Sequence, residues 1–342
     1  MARTKPERLV RPAGVAPEAI LRVLRVSSES SGARLDVFLS SQLRNTSRTR
    51  ARMIIEKSAY SLDGRHLSCS DRLRTGDAVA LWREPFEDDA EQPPLPVVYE
   101  DPHLLVIDKP ALVVVHPTAR YHKHTVKVRL EAERPGEFLA LIHRIDRETS
   151  GLLMLARTPD SERAFKLMLE ARSLGASEAT EESSAFDKVY LAIVRGTPPD
   201  GMLDSPLELD EDNSLRVKMR VAAPGTGLLA RTGVRVLGTR GAYSLVECSL
   251  HTGRQHQIRV HLASIGHPLV GDKLYGSDER LLARAADGEL TSADIALLEL
   301  PRHALHAHRY RLRHAVTGEA LDLVSPLAGD LERFWQGLAA PT

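Results

Sequence analysis

Residues 141–155 read LIHRIDRETSGLLML. Two apolar segments enclose a polar knot, HRIDRETSG, and Asp146 sits between Arg144 and Arg147. A carboxylate buried without a partner is costly, so Asp146 needs one. An arginine within a few ångströms lowers a carboxyl pKa and keeps the group charged. A charged, held carboxylate serves as a nucleophile or a base. The plain alternative is an Asp that accepts turn hydrogen bonds, with both arginines in solvent. For a lone Asp that reading is favoured, because most Asp residues are structural or exposed. On either reading LALIHRID and GLLMLART are strands that meet at a tight turn, Thr149-Ser150-Gly151, and Asp146 projects from the rim of a sheet.

Outward from this stretch the strands multiply. LLVIDKP reads as a buried strand closed by Pro110, and VVVHP as another closed by Pro117. Thr158-Pro159 opens a helix over SERAFKLMLEAR, with Pro at the favoured first position. KVYLAIVRG is a strand, and GVRVLGTRGAYSLVECSL a hairpin of two. One further helix is expected over residues 255–265, stopped by Gly266. Strands outnumber helices and do not alternate with them regularly. The expected class is therefore α+β: a mixed, largely antiparallel sheet with flanking helices, not a doubly wound sheet.

The front of the chain reads differently. Residues 1–32 look like a flexible lead-in. RLDVFLSSQL has apolar residues at helical spacing, and SRTRARMIIEK starts at an N-cap, Ser47, stacking Arg48, Arg50 and Arg52 in its first turns. YSLDGRHL carries a hairpin-like Asp63-Gly64 turn, and DRLRTGDAVALW a turn into a short strand. These make a small α/β unit at 33–83. An acidic, Pro-rich linker at 84–96, a main domain at 97–330 and a tail at 331–342 complete the expected layout.

Net charge is zero over 342 residues, yet residues 1–83 hold 16 Arg and Lys against 8 Asp and Glu. That excess fits a nucleic-acid footprint on the front part, or more simply a solvated charged surface. Two distant cysteines, Cys69 and Cys248, suggest a reducing interior. No apolar run approaches the roughly 18 residues of a membrane span, and the basic start lacks a signal segment. The expected setting is cytoplasmic, with no membrane partner.

Two more stretches offer chemistry. In HTGRQHQIRVHLASIGHP, Thr252 and Gln255 have capping-box spacing, so the helix is expected to start near Thr252. Arg254, Gln257 and Arg259 then crowd its first turns. Arginine at a positive helix end is unfavourable unless an anion lies nearby, either a phosphate or a partner carboxylate. In DKVYLAIVRG, Tyr190 offers a ring that can stack on a nucleobase, although a strand Tyr alone is more often core. The many histidines, among them His251, His256, His261, His303, His306 and His308, show no accepted zinc spacing, so no metal is expected.

HRIDRETSGLLMLA resembles the signature of the RluA-type pseudouridine synthases, usually His-Arg-Leu-Asp-x-x-Thr-Ser-Gly. LLVIDKPALVVVHP, KVYLAIVRG, GRQHQIRVHLASIGHPLVGDKLYG and LHAHRYRLRHAVTGEALDLVSPL agree in order, over about 97–330. The unit at 33–83 resembles the small RNA-binding domain of the ribosomal-protein S-four type. The resemblance implies an RNA pseudouridine synthase, a monomer without cofactor or metal, acting on ribosomal RNA of the large subunit or, second, on transfer RNA. It implies Asp146 as nucleophile or base, Tyr190 stacked on the target base, and Arg259 holding Asp146 ionised. Arg144 would fill the gap left by a flipped nucleotide. His143, Arg254, His256 and Gln257, with Arg48, Arg50 and Arg52 on the small unit, would contact RNA. Ile145 replaces the usual Leu, residues 174–185 form a longer acidic connection, and Ser58 stands where Gly is usual before the small unit's hairpin. A non-catalytic RNA-binding assembly factor is a competing reading, against which the intact Asp146, Tyr190 and Arg259 argue. A hydrolase pairing Asp146 with His143 is another.

Overall fold

The computed structural model describes residues 9–17, 19–43, 46–83, 92–117, 123–173, 186–213, 217–276, 278 and 280–339. Among them two compact units separate, one within the first 89 residues and one from Ala90 onward. Most of the acidic stretch before Gln92 and all of the 174–185 connection lie outside the described residues.

The first unit comprises β1 (Ile20–Arg25), α1 (Leu35–Gln42), α2 (Arg48–Ser58), β2 (Ala59–Tyr60) and β3 (Ala78–Arg83). The strands form an antiparallel sheet in the order β1-β3-β2. Leu35, Phe38 and Leu39 of α1 and Ile55 of α2 pack with Val79 and Leu81 of β3. Ser47 caps α2 as expected, its Oγ accepting from the Arg50 amide at 3.2 Å. The lead-in is corrected: residues 20–25 pair with β3 along their whole length. Only Leu24 of ILRVLR is buried, so the strand left no alternating signal. Ser58 needs no glycine geometry. It ends α2 inside the helix, its Oγ donating to the Ile54 carbonyl at 2.8 Å.

The second unit runs β4 (Val97–Glu100), β5 (Leu104–Lys109), α3 (Val126–Glu133), β6 (Ala140–Leu141), β7 (Ser150–Ala156), α4 (Pro159–Ser173) and β8 (Phe186–Arg195). It continues with β9 (Gly201–Asp204), β10 (Leu207–Leu209), β11 (Met219–Val221), β12 (Arg231–Arg240), β13 (Tyr243–Leu250) and α5 (Gln257–Ser264). It closes with α6 (Leu281–Asp287), α7 (Ser292–Leu298), β14 (Leu305–Arg313), β15 (Ala320–Val324) and α8 (Gly329–Gly337). The main sheet orders β4-β5-β7-β14-β8-β13-β12-β9, with β15 on β14 and β6 on β7. Among the described residues only β7 and β14 pair in parallel. This is the mixed, largely antiparallel α+β architecture that the sequence predicts.

The continuous apolar runs follow from a sheet covered on both faces. Leu104 and Val106 of β5 and Leu152 and Met154 of β7 pack on one side with Phe165 of α4 and Ile258 of α5. Leu105, Ile107, Leu153 and Leu155 point to the other, against Val126 and Leu130 of α3. Pro159 opens α4 as expected, with the Thr158 Oγ1 accepting from the Ser161 amide at 3.1 Å.

The sheet forks at its centre. β7 and β14 share two residue pairs, Ser150 with His306 and Gly151 with Ala307, and then diverge. β6 continues along β7 and β15 along β14. Residues 142–149 return beside β7, with the Ile142 amide on the Met154 carbonyl at 3.1 Å. LALIHRID is therefore a strand for two residues only, and the remainder is the loop that carries Asp146. Nor is TSG a turn. The turn is one step earlier, with the Thr149 amide on the Asp146 carbonyl at 3.1 Å. Ser150 and Gly151 already belong to β7. Gly151 adopts φ +103°, and a Cβ there would lie 2.2 Å from the Ala307 carbonyl oxygen. Glycine is required because β14 passes against its backbone.

Three other expectations are corrected. VVVHP forms no strand; Val113 and Val115 fill a loop that packs on α3. The end of the expected linker is packed too: Leu95 is buried and the Pro96 carbonyl accepts from the Asp108 amide. Residues 331–337 are no tail but most of α8, whose Leu331 and Trp335 are buried against Ile193 and Val270. Each buried side chain of that size contributes roughly 1.5–3 kcal/mol.

Candidate active site

Helix α5 starts at Gln257, not near Thr252. The capping box does not form. The Thr252 hydroxyl donates instead to the Gln257 Oε1 at 2.8 Å and accepts from the Arg231 amide. The Gln257 Nε2 reaches the Arg231 carbonyl and the Thr232 hydroxyl, both at 2.9 Å. Gln257 is thus fully occupied in building the turn. His256 precedes the helix with φ +56°. From Gln257 to Leu262 every residue of α5 is buried, so Arg259 is carried into the interior and not onto a solvated face.

There Arg259 finds the anion that the sequence demanded. Its Nε and Nη2 grip Asp272 at 2.7 and 2.9 Å, and its Nη1 donates to the Asp146 Oδ2 at 2.7 Å. Its guanidinium carbon lies 5.0 Å from the centre of the Tyr275 ring. Asp272 is fully enclosed and also accepts from the Leu274 and Tyr275 amides, at 2.9 and 3.0 Å. A buried ion pair is tolerated when its geometry is good and its remaining lone pairs are satisfied. Both conditions hold.

Asp146 is the exposed end of this chain, 31% accessible. Burial opposes its ionisation, but Arg259, helped by His256 and His303, outweighs it, and the carboxyl is held below its usual range. The His256 ring is pushed down to about 4, first by burial and then by Arg259, so it is neutral near pH 7. The Tyr275 hydroxyl accepts from the Met219 amide at 2.8 Å and lies 2.8 Å from the His256 Nδ1. The His256 Nε2 faces the Asp146 Oδ1 at 3.9 Å.

A pocket of about 80 Å³ surrounds Asp146, lined by Arg144, Thr149, Tyr190, Arg254 and His256 among others. Tyr190 comes from β8. Its hydroxyl lies 3.3 Å from that of Tyr310, which donates to the Leu152 carbonyl across the fork. Arg144 stands exposed on the rim. Arg254 also reaches the rim, its Nε on the Leu229 carbonyl at 2.9 Å.

His143 is not in this lining. Its Nε2 accepts from the Met154 amide and its ring edge meets Tyr310 at 5.5 Å. Burial holds its pKa well below the usual value. An RNA contact or a His143–Asp146 hydrolytic pair is not what this geometry offers. In the first unit Arg48, Arg50 and Arg52 all lie exposed on α2, and the Arg48 Nη2 reaches the buried Asp36 at 3.1 Å. The larger groove of that unit, about 480 Å³ beside Arg65 and Arg72, holds no comparable constellation.

Among the described residues no three His, Cys, Asp or Glu side chains are grouped to hold a metal ion. The histidines have other work. His261 bonds Thr232 and the Ser205 carbonyl, His303 bonds Thr149, and His306 bonds Ser150.

Sequence reasoning missed Asp272, Tyr275 and Lys109. Asp272 carried the same signal as Asp146, an acid inside an apolar run, PLVGDKLYG. Lys109 is fully buried and its ammonium holds the Pro110, Val113 and Arg147 carbonyls at 2.7, 3.0 and 3.2 Å.

The site thus brings together a carboxylate kept ionised, the Tyr190 ring and the rim arginines Arg144 and Arg254, on a forked mixed sheet. The family description RNA pseudouridylate synthase matches residues 103–264, from β5 to the end of α5, and the chain belongs to that family. Ribosomal large subunit pseudouridine synthase D of Nitrosomonas europaea is 34% identical over 328 residues, covering 92% of this chain and 87% of that protein. The protein of the same name from Pseudomonas aeruginosa is 34% identical, covering 92% and 94%. Human RNA pseudouridylate synthase domain containing 4 shares 25% identity at a TM-score of 0.52, covering 70% of this chain and 92% of its own.

Proposed function

We infer that this chain isomerises uridine to pseudouridine in ribosomal RNA of the large subunit, with Asp146 as its nucleophile or base. The N1–C1′ bond breaks, a C5–C1′ bond forms, and the C5 proton is lost while N1 gains one, so composition is unchanged. The observation that carries the reading is the 2.7 Å contact that keeps Asp146 ionised in a pocket lined by Tyr190. The substrate class rests on the relatives' names.

In this reading Tyr190 stacks on the target base, and Arg144 fills the space of the flipped nucleotide. Arg254 and His256 contact RNA at the rim, while Gln257 acts through the turn that it builds. The first unit is an RNA-binding domain of the ribosomal-protein S-four type that uses Arg48, Arg50 and Arg52. Their exposure on one short helix supports this, since phosphate contacts need accessible cations. The enzyme works as a cytoplasmic monomer, with a small domain that includes residues 20–25 and ends at Arg83, and a catalytic domain that includes Leu95 and α8.

The test is Asp146→Asn. It keeps the shape and a hydrogen bond to Arg259 but removes the charge. Pseudouridine formation on large-subunit ribosomal RNA should vanish while folding and RNA affinity persist. Turnover at the wild-type rate would refute the assignment.

A further inference from the structure

Asp146 is fixed from two sides. Arg259 and Asp272 hold its carboxylate. Its backbone is held by something else. The loop from Asp146 to Ser150 makes one internal turn, with the Thr149 amide on the Asp146 carbonyl, and has little apolar packing of its own. Its other ties run to Lys109, which holds the Arg147 carbonyl, to Lys273, and to residues 302–306, which are tied in turn to α8.

Arg302 is the centre of those ties. It is 1% exposed and does not line the pocket. Its Nη1 donates to the Glu148 carbonyl at 3.1 Å and the Leu305 carbonyl at 3.2 Å. Its Nη2 donates to the Ser150 Oγ at 3.2 Å. The same guanidinium is clamped by Asp330, with Nε on Oδ2 at 2.6 Å and Nη2 on Oδ1 at 2.8 Å. Asp330 lies in the first turn of α8, where a carboxylate also suits the helix dipole. Lys273 and His303 hold the Glu148 side chain beside it, at 2.7 and 3.0 Å. Only a planar, multidentate cation can serve all of these acceptors together.

We propose that Arg302 is a positioning residue for Asp146, acting through the backbone of Glu148 and Ser150, and that Asp330 on α8 locks Arg302 in place. The proposal rests on Asp146 being the reacting group. A helix near the end of the chain thereby sets the geometry of a loop more than 150 residues earlier. A displacement of about 1 Å at a reacting group can cost about a hundredfold in rate, so loosening this clamp reaches the chemistry without touching the pocket.

The test compares full-length wild type, Asp330→Ala, Asp330→Glu, Arg302→Lys and Asp146→Asn. Single-turnover tritium release from C5-labelled uridine is measured in large-subunit ribosomal RNA transcribed in vitro. Affinity for the same RNA is measured separately, at a temperature where each variant is folded by circular dichroism. Asp330→Ala should slow release about tenfold or more with RNA affinity within about twofold, and Asp330→Glu should recover most of the rate. Arg302→Lys keeps a cation against Asp330 but cannot also span Glu148 and Ser150, so it should be slowed similarly while remaining folded. A purely structural clamp would lower the melting temperature and leave the rate of folded protein alone. Wild-type rates in folded Asp330→Ala and Arg302→Lys, with Asp146→Asn silent, would overturn the proposal. If wild type releases no tritium, or Asp146→Asn matches it, the underlying assignment has failed and takes this proposal with it.

Discussion

Arg259→Lys tests the electrostatic heart of the site. Arg259 spends three nitrogens, two on Asp272 and one on Asp146. Lysine offers one ammonium. Asp272 is fully enclosed while Asp146 is 31% exposed, so the ammonium should settle on Asp272, where desolvation is greater. Asp146 then loses a charge-assisted hydrogen bond worth about 1.5–3 kcal/mol in favour of its ionised form. That equals a rise of about 1–2 pH units in its pKa. The sign follows from the mechanism. Asp146 works ionised, so activity is present above its pKa and disappears as pH falls through it. In the wild type, where the carboxyl is held below its usual range, kcat/KM should not lose activity through Asp146 until the pH is strongly acidic. In Arg259→Lys the acid limb should move up by about 1–2 units, with much of the rate recovered on its alkaline side. The assay is C5 tritium release from large-subunit ribosomal RNA across the pH range. A limb that stays put while the plateau collapses would mean that Arg259 serves the substrate directly, and the reasoning would be wrong.

Two further outcomes follow from packing and burial. Asp272→Asn breaks a buried pair and should cost about 3–5 kcal/mol in urea unfolding near neutral pH. Because the Asp272 pKa is depressed by Arg259 against the opposing effect of burial, its contribution is complete above the unfolded value of about 3.9. The gap between wild type and variant should therefore narrow as pH falls below that point; a constant gap would contradict the pairing. Gly151→Ala places a methyl 2.2 Å from the Ala307 carbonyl oxygen at φ +103°. The β7–β14 pairing must open, and a loss of about 3 kcal/mol or more is expected in the same experiment.

Each apolar run in β5, β7 and β8 was legible because a strand buried on both faces must be apolar throughout. Ser47 and Pro159 marked helix starts because caps act within one turn. The capping box at Thr252 failed because Gln257 took the hydroxyl for itself, leaving His256 in the left-handed region. Strand β1 was missed because only one of its six residues is buried, and α8 because its two buried side chains lie among polar neighbours.

By itself the sequence determined the class of fold, the order of its blocks, and that Asp146 and Arg259 each required an opposite charge. Hydrophobic period and the cost of an unpaired charge are properties that a linear text displays. Tertiary structure alone decided which charges meet. Arg259 finds Asp146 113 residues away, Asp272 completes the pair, and Arg302 bridges Glu148 and Asp330. It also turned an expected TSG turn into the start of a strand, because β14 passes close enough to need a bare backbone at Gly151. Such choices depend on how strands and helices pack in space, and residue spacing carries no record of them.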